Sequence, residues 1–232
     1  MFRDGDRLRD RVTERLFRVG AGRCGAVVCN SQVTRDHLGE FDAELASRAS
    51  VIPWGHYGGQ VSRRERCHIV AFAGSHARKR SDLLAPIYEA FQRSERDPVP
   101  LVVLARAGLA HDVRRALEEL GAEIYVNVDE TRVGELLATA RALVVTSRQE
   151  GFGLPVVEAG EVGTPVVLGC DSEVAEEVIG RHCVRAAGLR MEDWAEALRC
   201  AVELGPVDHA LSLPTWAEVC ERYRETYERV CS

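Results

Sequence analysis

Residues 141–169 read RALVVTSRQEGFGLPVVEAGEVGTPVVLG, and the order of residue types in this stretch decides the fold around it. RALVVTS (141–147) is an unbroken run of β-formers, the pattern of a strand buried on both faces. EGFGLP (150–155) follows with two glycines and a proline, which mark a tight turn opening into a helix. The glycines let backbone pass close to a ligand, and the proline sits where a first helical turn tolerates it. PVVEAGEVG (155–163) then reads as the helix and TPVVLG (164–169) as the next strand.

The same alternation extends in both directions. CHIVAFAG (67–74), VPLVVLAR (99–106), AEIYV (122–126) and HCVRA (182–186) read as strands. SDLLAPIYEAFQRS (81–94), with Leu83, Leu84, Ile87, Ala90 and Phe91 on one face and Ser81 as its N-cap, reads as a helix. So do HDVRRALEELG (111–121, closed by Gly121), ETRVGELLATA (130–140), SEVAEEVIG (172–180), MEDWAEALRCAVEL (191–204) and TWAEVCERYRETYERV (215–230). Apolar strands alternating with amphipathic helices predict an α/β fold: a Rossmann-like, doubly wound parallel sheet covered on both faces. Ligands of such sheets bind beyond the carboxyl ends of the strands, so the turns after 67–74, 122–126 and 141–147 are the places to inspect.

Residues 1–66 differ. DRLRDRVTERLFRVG (6–20) predicts an amphipathic helix, GAVVCN a strand, SQVTRDHLGEF a helix, and ASVIPWG a strand leading into a loop. Two strands cannot build a core of their own, so this part either docks on the main domain or is the tail of a larger one. GHYGGQVSRRER (55–66) is polar and contains glycine, as a linker would.

The bulk numbers exclude several classes. The chain has 232 residues, 46% apolar and 28% charged, which is ordinary for a globular protein. No apolar run approaches the roughly 20 residues that cross a bilayer, and the charged N-terminus is no signal peptide, so a cytoplasmic location is expected. Net charge is −6 with both signs interspersed, which gives no nucleic-acid footprint. Eight cysteines occur without a C-x-x-C pair, most in strand-like or helix-like segments, and predict buried reduced thiols rather than a metal site.

Chemistry concentrates at two turns. In EGFGLPVVE, the helix opening near Gly153 offers backbone N–H groups to an anion. Glu158, in the first turns of that helix, can accept hydrogen bonds from a pair of ribose hydroxyls, and Glu150 from sugar hydroxyls. The plainer reading is a turn with acids near a helix dipole. In AGSHARKRSDLL, Gly74 ends the strand and Arg78, Lys79 and Arg80 follow. Lys79 can meet a diphosphate and offset charge developing on a departing nucleotide.

At these residues the chain resembles the retaining, nucleotide-sugar-dependent family-4 glycosyltransferases of the GT-B fold, and in particular their C-terminal donor-binding domain. The resemblance spans about residues 25 to 230. VVCNSQVTRDHL is similar to the family's strand, serine and helix; VIPWGHY to its "IPNG" hinge; FAGSHARKRSDLLAPIYEAF to its glycine-to-lysine turn. EGFGLPVVEAGEVGTPVV resembles its E-x7-E block, and PTWAEVCERYRETYERV its final "SW" helix.

The resemblance implies roles. Lys79 becomes the donor-phosphate lysine, with Gly74 and Arg78 beside it; Glu150 contacts the transferred sugar and Glu158 the ribose. The backbone of Gly151, Phe152, Gly153 and Leu154 meets phosphates and sugar, and the loop from Val126 to Val128 cradles the base. Lys79 and Glu150 are the implied catalytic pair. The implied reaction moves a hexose from a UDP- or GDP-sugar to an unknown acceptor with retention, without metal or cofactor. No G-x-G-x-x-G follows the first strand, which disfavours a nicotinamide enzyme. The chain departs from the family at Ser75, where many members carry arginine; Arg78 or Arg80 is the candidate to compensate. The implied domains are 1–55, a remnant of the acceptor-side domain; 56–66, a linker; 67–214, the nucleotide-sugar domain; and 215–232, a closing helix. A separate or missing N-terminal domain, with a partner polypeptide as one source of it, is then expected to supply the rest of the acceptor side. The alternative is a non-catalytic nucleotide-sugar-binding module or partner subunit.

Overall fold

The computed structural model describes residues 16–56, 61–62, 64–174, 178–207 and 213–231. The helices expected over 6–20 and 172–180 and the linker at 56–66 therefore lie partly outside the described residues; 16–22 is helical. The first segment holds β1 (Val27–Cys29), α1 (Gln32–Phe41), α2 (Ala43–Arg48) and β2 (Ala49–Val51). β1 and β2 pair in parallel as a sheet of two strands, and Ser31 caps α1 by accepting the N–H of Thr34.

The main sheet follows. Its strands are β3 (His68–Ala73), β4 (Leu101–Ala105), β5 (Glu123–Val126), β6 (Ala140–Val145), β7 (Val166–Leu168) and β8 (Cys183–Arg185). All pairings are parallel, in the order β5-β4-β3-β6-β7-β8. Between the strands run α3 (Leu84–Ser94), α4 (His111–Glu119), α5 (Glu130–Ala138) and α6 (Leu154–Glu161), with α7 (Met191–Leu204) and α8 (Trp216–Cys231) closing the chain.

Alternation along each strand builds two cores. Ile69, Ala71, Val103 and Val144 face α3, α4 and α7, where Phe91, Leu117, Trp194 and Leu198 are buried. Val70, Leu104, Leu143 and Leu168 face α5 and α6, with Leu137, Phe152, Val156 and Val157. Each such side chain contributes about 1.5–3 kcal/mol by leaving water. The sheet thus holds rigid ends from which the turns project.

Three expectations need correction. Ser81 does not cap the helix at 81–94; the segment begins as two 3₁₀ turns and α3 starts at Leu84. The Ser81 hydroxyl instead bonds back to Gly74, accepting its N–H and donating to its carbonyl, each at 2.9 Å. The cysteines are mostly surface groups: Cys29 is buried and Cys183 half-buried, while the other six are exposed. Arg66, within the expected linker, is buried. Its guanidinium donates to the carbonyls of Ala140 and Val162 and to the Thr164 hydroxyl, pinning the chain beneath the sheet.

Candidate functional site at the sheet's switch point

From β3 the chain winds outward through β4 and β5, then returns to lay β6, β7 and β8 on the other side. The turns after β3 and β6 therefore part at the centre of the sheet, the place where open α/β folds bind ligands.

The β3 turn is held by four polar ties. Thr146 Oγ donates to Lys79 O at 2.7 Å, and Arg148 N to Arg78 O at 3.0 Å. Arg80 Nε donates to Thr146 O at 2.8 Å, and its two terminal nitrogens grip Asp171 at 2.8 and 3.0 Å. Arg80 adopts a left-handed backbone, φ 44° and ψ 45°, which strains a residue with a Cβ. Its side chain is consumed by this framing, which leaves Arg78 as the other arginine of the turn.

Lys79 and Arg78 converge on one carboxylate. Lys79 Nζ lies 2.5 Å from Glu150 Oε1, and an Arg78 nitrogen 3.2 Å from Glu150 Oε2. Arg78 also donates to Gln149 O at 3.1 Å. The Glu150 side chain is 11% exposed, against 48% for Arg78. Burial pushes the Glu150 carboxyl up, but hydrogen bonds from Lys79 and Ser147 and the two cations outweigh it and hold the group below its ordinary value.

The turn itself is shaped by Gly153, whose φ of 95° suits glycine and which caps α6 without a side chain. Pro155 has no N–H, and those of Val156 and Val157 donate to Gly153 O, so Leu154 presents the helix's first amide. The Phe152 ring is buried and packs on Trp54 with centroids 5.6 Å apart, leaving only its backbone to a ligand. Gly151 is exposed, and its carbonyl accepts hydrogen bonds from Ser31 and Thr34 of the first segment.

Glu158 stands apart from the Lys79–Glu150 pair. It is exposed on α6, with Glu161, Glu130 and Arg106 as its charged neighbours. Desolvation by surrounding protein, then repulsion from Glu161 and Glu130, raise its carboxyl above the ordinary range despite Arg106. After β5, Asn127 turns left-handed at φ 55°, and the side chain of Val128 packs half-buried against the second core. Val126, at the end of β5, and Asn127 and Asp129 beside Val128 are exposed. Sequence reasoning missed the frame: Ser31, Thr34, Asp171 and Thr146. Of these only Ser31, a serine just ahead of a helical pattern, carried a readable signal.

Among the described residues no group of three or more His, Cys, Asp or Glu could hold a metal ion. No described helix is long and apolar enough to cross a membrane.

A doubly wound parallel sheet whose turns part at a central switch point defines the class of open α/β domains that bind ligands at the carboxyl ends of their strands. More specifically, the chain belongs to the glycosyl transferases group 1 family, whose profile matches residues 67–212. It is similar to the serotype-specific mannosyltransferase WbdA of Escherichia coli, 36% identical over 72 residues, or 31% of this chain and 9% of that protein. It is also similar to the D-inositol 3-phosphate glycosyltransferase of Actinosynnema mirum, 36% identical over 107 residues, or 44% of this chain and 23% of that one. Its fold matches that of S. aureus TarM, crystallised with UDP, with a TM-score of 0.64 and 19% identity, over 95% of this chain and 45% of TarM. The GT-B architecture of such transferases accounts for the sheet found here, and the chain spans less than half the length of these relatives.

Proposed function

We propose that this chain is the donor-binding half of a retaining glycosyltransferase. It holds a nucleotide-diphosphate sugar at the switch point for hexose transfer to an acceptor. The observation that carries this reading is the convergence of Lys79 and Arg78 on Glu150 at the carboxyl end of β6. A diphosphate entering there competes with Glu150 for both cations, and charge-assisted contacts of this kind are among the stronger ones in proteins. With its cations drawn to phosphate, Glu150 presents its oxygens to sugar hydroxyls. As the bond to the sugar breaks, negative charge grows on the departing nucleotide, and Lys79 and Arg78 are already placed to offset it. Glu158, ionised, receives the ribose hydroxyls.

Transfer also requires an acceptor held in line at the anomeric carbon, since positioning supplies much of the rate. The crevice described here is one wall of such a site, and the opposite wall has to come from a further domain. The UDP bound to TarM favours a UDP-sugar, with a GDP-sugar as the other candidate.

Calorimetric titration with UDP-, GDP- and ADP-sugars tests the proposal. One of the first two should bind, and Lys79→Ala and Glu158→Ala should each weaken it. Affinity unchanged from the native chain in both variants would place the site elsewhere. Transfer of sugar to an acceptor by these residues alone would show that they need no further domain.

A further inference from the structure

The first segment reaches the turn that carries Glu150 at three successive points. Ser31 Oγ lies 2.8 Å and Thr34 Oγ 3.0 Å from the Gly151 carbonyl, across more than a hundred residues of chain. Trp54 packs on Phe152, one residue further on. His37 lies 3.1 Å from Glu173, whose N–H in turn donates to Arg148 O at 2.7 Å and which bridges to Gln149. Residues 148, 149, 151 and 152 are thus all tied, directly or through Glu173, to residues 31–54. Glu150 sits in the middle with its side chain directed to Lys79.

The hydroxyl network offers the Gly151 carbonyl two alternative donors. Ser31 Oγ is fully buried, accepts the Thr34 N–H as the cap of α1, and lies 2.9 Å from Thr34 Oγ; Thr34 Oγ also lies 2.8 Å from Asn30 Oδ1. Each hydroxyl has one proton. When Thr34 gives its proton to Asn30, Ser31 is free to give its own to Gly151; when Ser31 gives its proton to Thr34, Thr34 is free to give its own to Gly151. Either arrangement leaves the Gly151 carbonyl bonded. A capping serine needs no such second partner, and α1 would be capped equally well away from the turn.

We infer that Ser31 and Thr34 are positioning residues that hold the Glu150–Gly153 turn in its sugar-binding shape. On this account the first segment is a clamp on the donor site. The inference rests on the donor-site reading above and adds the residues that preset it. The clamp acts on the turn, whereas the β3 turn carrying Lys79 has its own ties to Thr146 and Asp171. Loss of the clamp should therefore weaken recognition of the sugar more than recognition of the diphosphate.

The test uses the whole chain with Ser31→Ala/Thr34→Val, and with Thr34→Ser, which keeps both hydroxyls. Hydrogen exchange of the free protein reports on the turn, and titrations with UDP and with the preferred UDP- or GDP-sugar report on its use. In the double variant, amides of residues 149–153 should exchange at least tenfold faster while those of β3 and β4 are unchanged. The affinity gained by adding the sugar to the nucleoside diphosphate should fall about tenfold, and Thr34→Ser should restore both measurements. Unchanged exchange at 149–153, or equal loss for nucleotide and nucleotide sugar, would overturn the inference while leaving the donor site intact. Wild-type protein that binds neither ligand would overturn the donor-site reading, and exchange at 149–153 would then decide the clamp by itself.

Discussion

Arg80 spans the switch point to Asp171 with two hydrogen bonds of 2.8 and 3.0 Å, although its own backbone is left-handed at φ 44°. The strain is tolerated because the guanidinium frames the turn that presents Lys79. Arg80→Ala loses the frame and keeps the Cβ that makes the backbone costly; Arg80→Gly loses the frame but relieves the strain. Arg80→Gly should therefore unfold later in urea than Arg80→Ala, by about 1 kcal/mol. Both should bind donor more weakly than the native chain. An alanine variant at least as stable as the glycine one would show that the backbone there is unstrained.

Lys79 is the strongest single test of the site's chemistry. Its side chain lies outside both cores, so Lys79→Ala should lower the melting temperature only through the lost pair with Glu150. Loss of a charge-assisted contact to phosphate is worth about 1.5–3 kcal/mol, or about 10- to 150-fold in donor affinity. Arg78→Ala, from a more exposed position, should cost less. Calorimetry on the two variants ranks them, and the reverse ranking would reassign the principal phosphate ligand.

The two glycines of the donor turn should behave differently. A Cβ at Gly153 would sit 3.0 Å from Val174 on a backbone with φ 95°, so Gly153→Ala should destabilise by about 2 kcal/mol. A Cβ at Gly151 meets nothing within 4 Å, so Gly151→Ala should stay within about 0.5 kcal/mol of the native chain. Chemical denaturation of both variants measures the contrast.

Lowering pH should separate the two glutamates. Glu158 has a raised carboxyl, so donor affinity should fall at a pH above the ordinary value of 4.5, when this group protonates and loses ribose hydroxyls. For stability the sign is opposite: its ionised form is the costly one in the fold, so Glu158→Gln should be slightly more stable at neutral pH. Glu150 is depressed, so the stability it contributes is present above 4.5 and lost as pH falls through its lower folded value. Melting curves and titrations across this range check both signs.

Much of the fold was legible because the strands are continuous apolar runs and each helix has one apolar face. EGFGLP announced its turn because glycine admits the positive φ a tight turn needs and proline suits the start of a helix, while the roles expected of Lys79 and Glu150 rested on the family resemblance of the turns after β3 and β6. The frame was not legible. Arg80 reads as one of three basic residues in a row, and only tertiary contact shows that it serves Asp171 while Lys79 and Arg78 serve Glu150. Ser81 reads as a cap because spacing cannot show a 3₁₀ lead-in. Gly151 gives no hint that Ser31 and Thr34, far away in sequence, will bond to it. Six exposed cysteines, too, occupy segments whose local pattern looked interior.

Hydrogen exchange with and without the preferred nucleotide sugar tests the central claim most directly. The account predicts joint protection of the turns at 74–80 and 150–158 and of the loop at 126–130, because one ligand spans all three. Protection confined to any one of them, or falling outside the switch point, would contradict it.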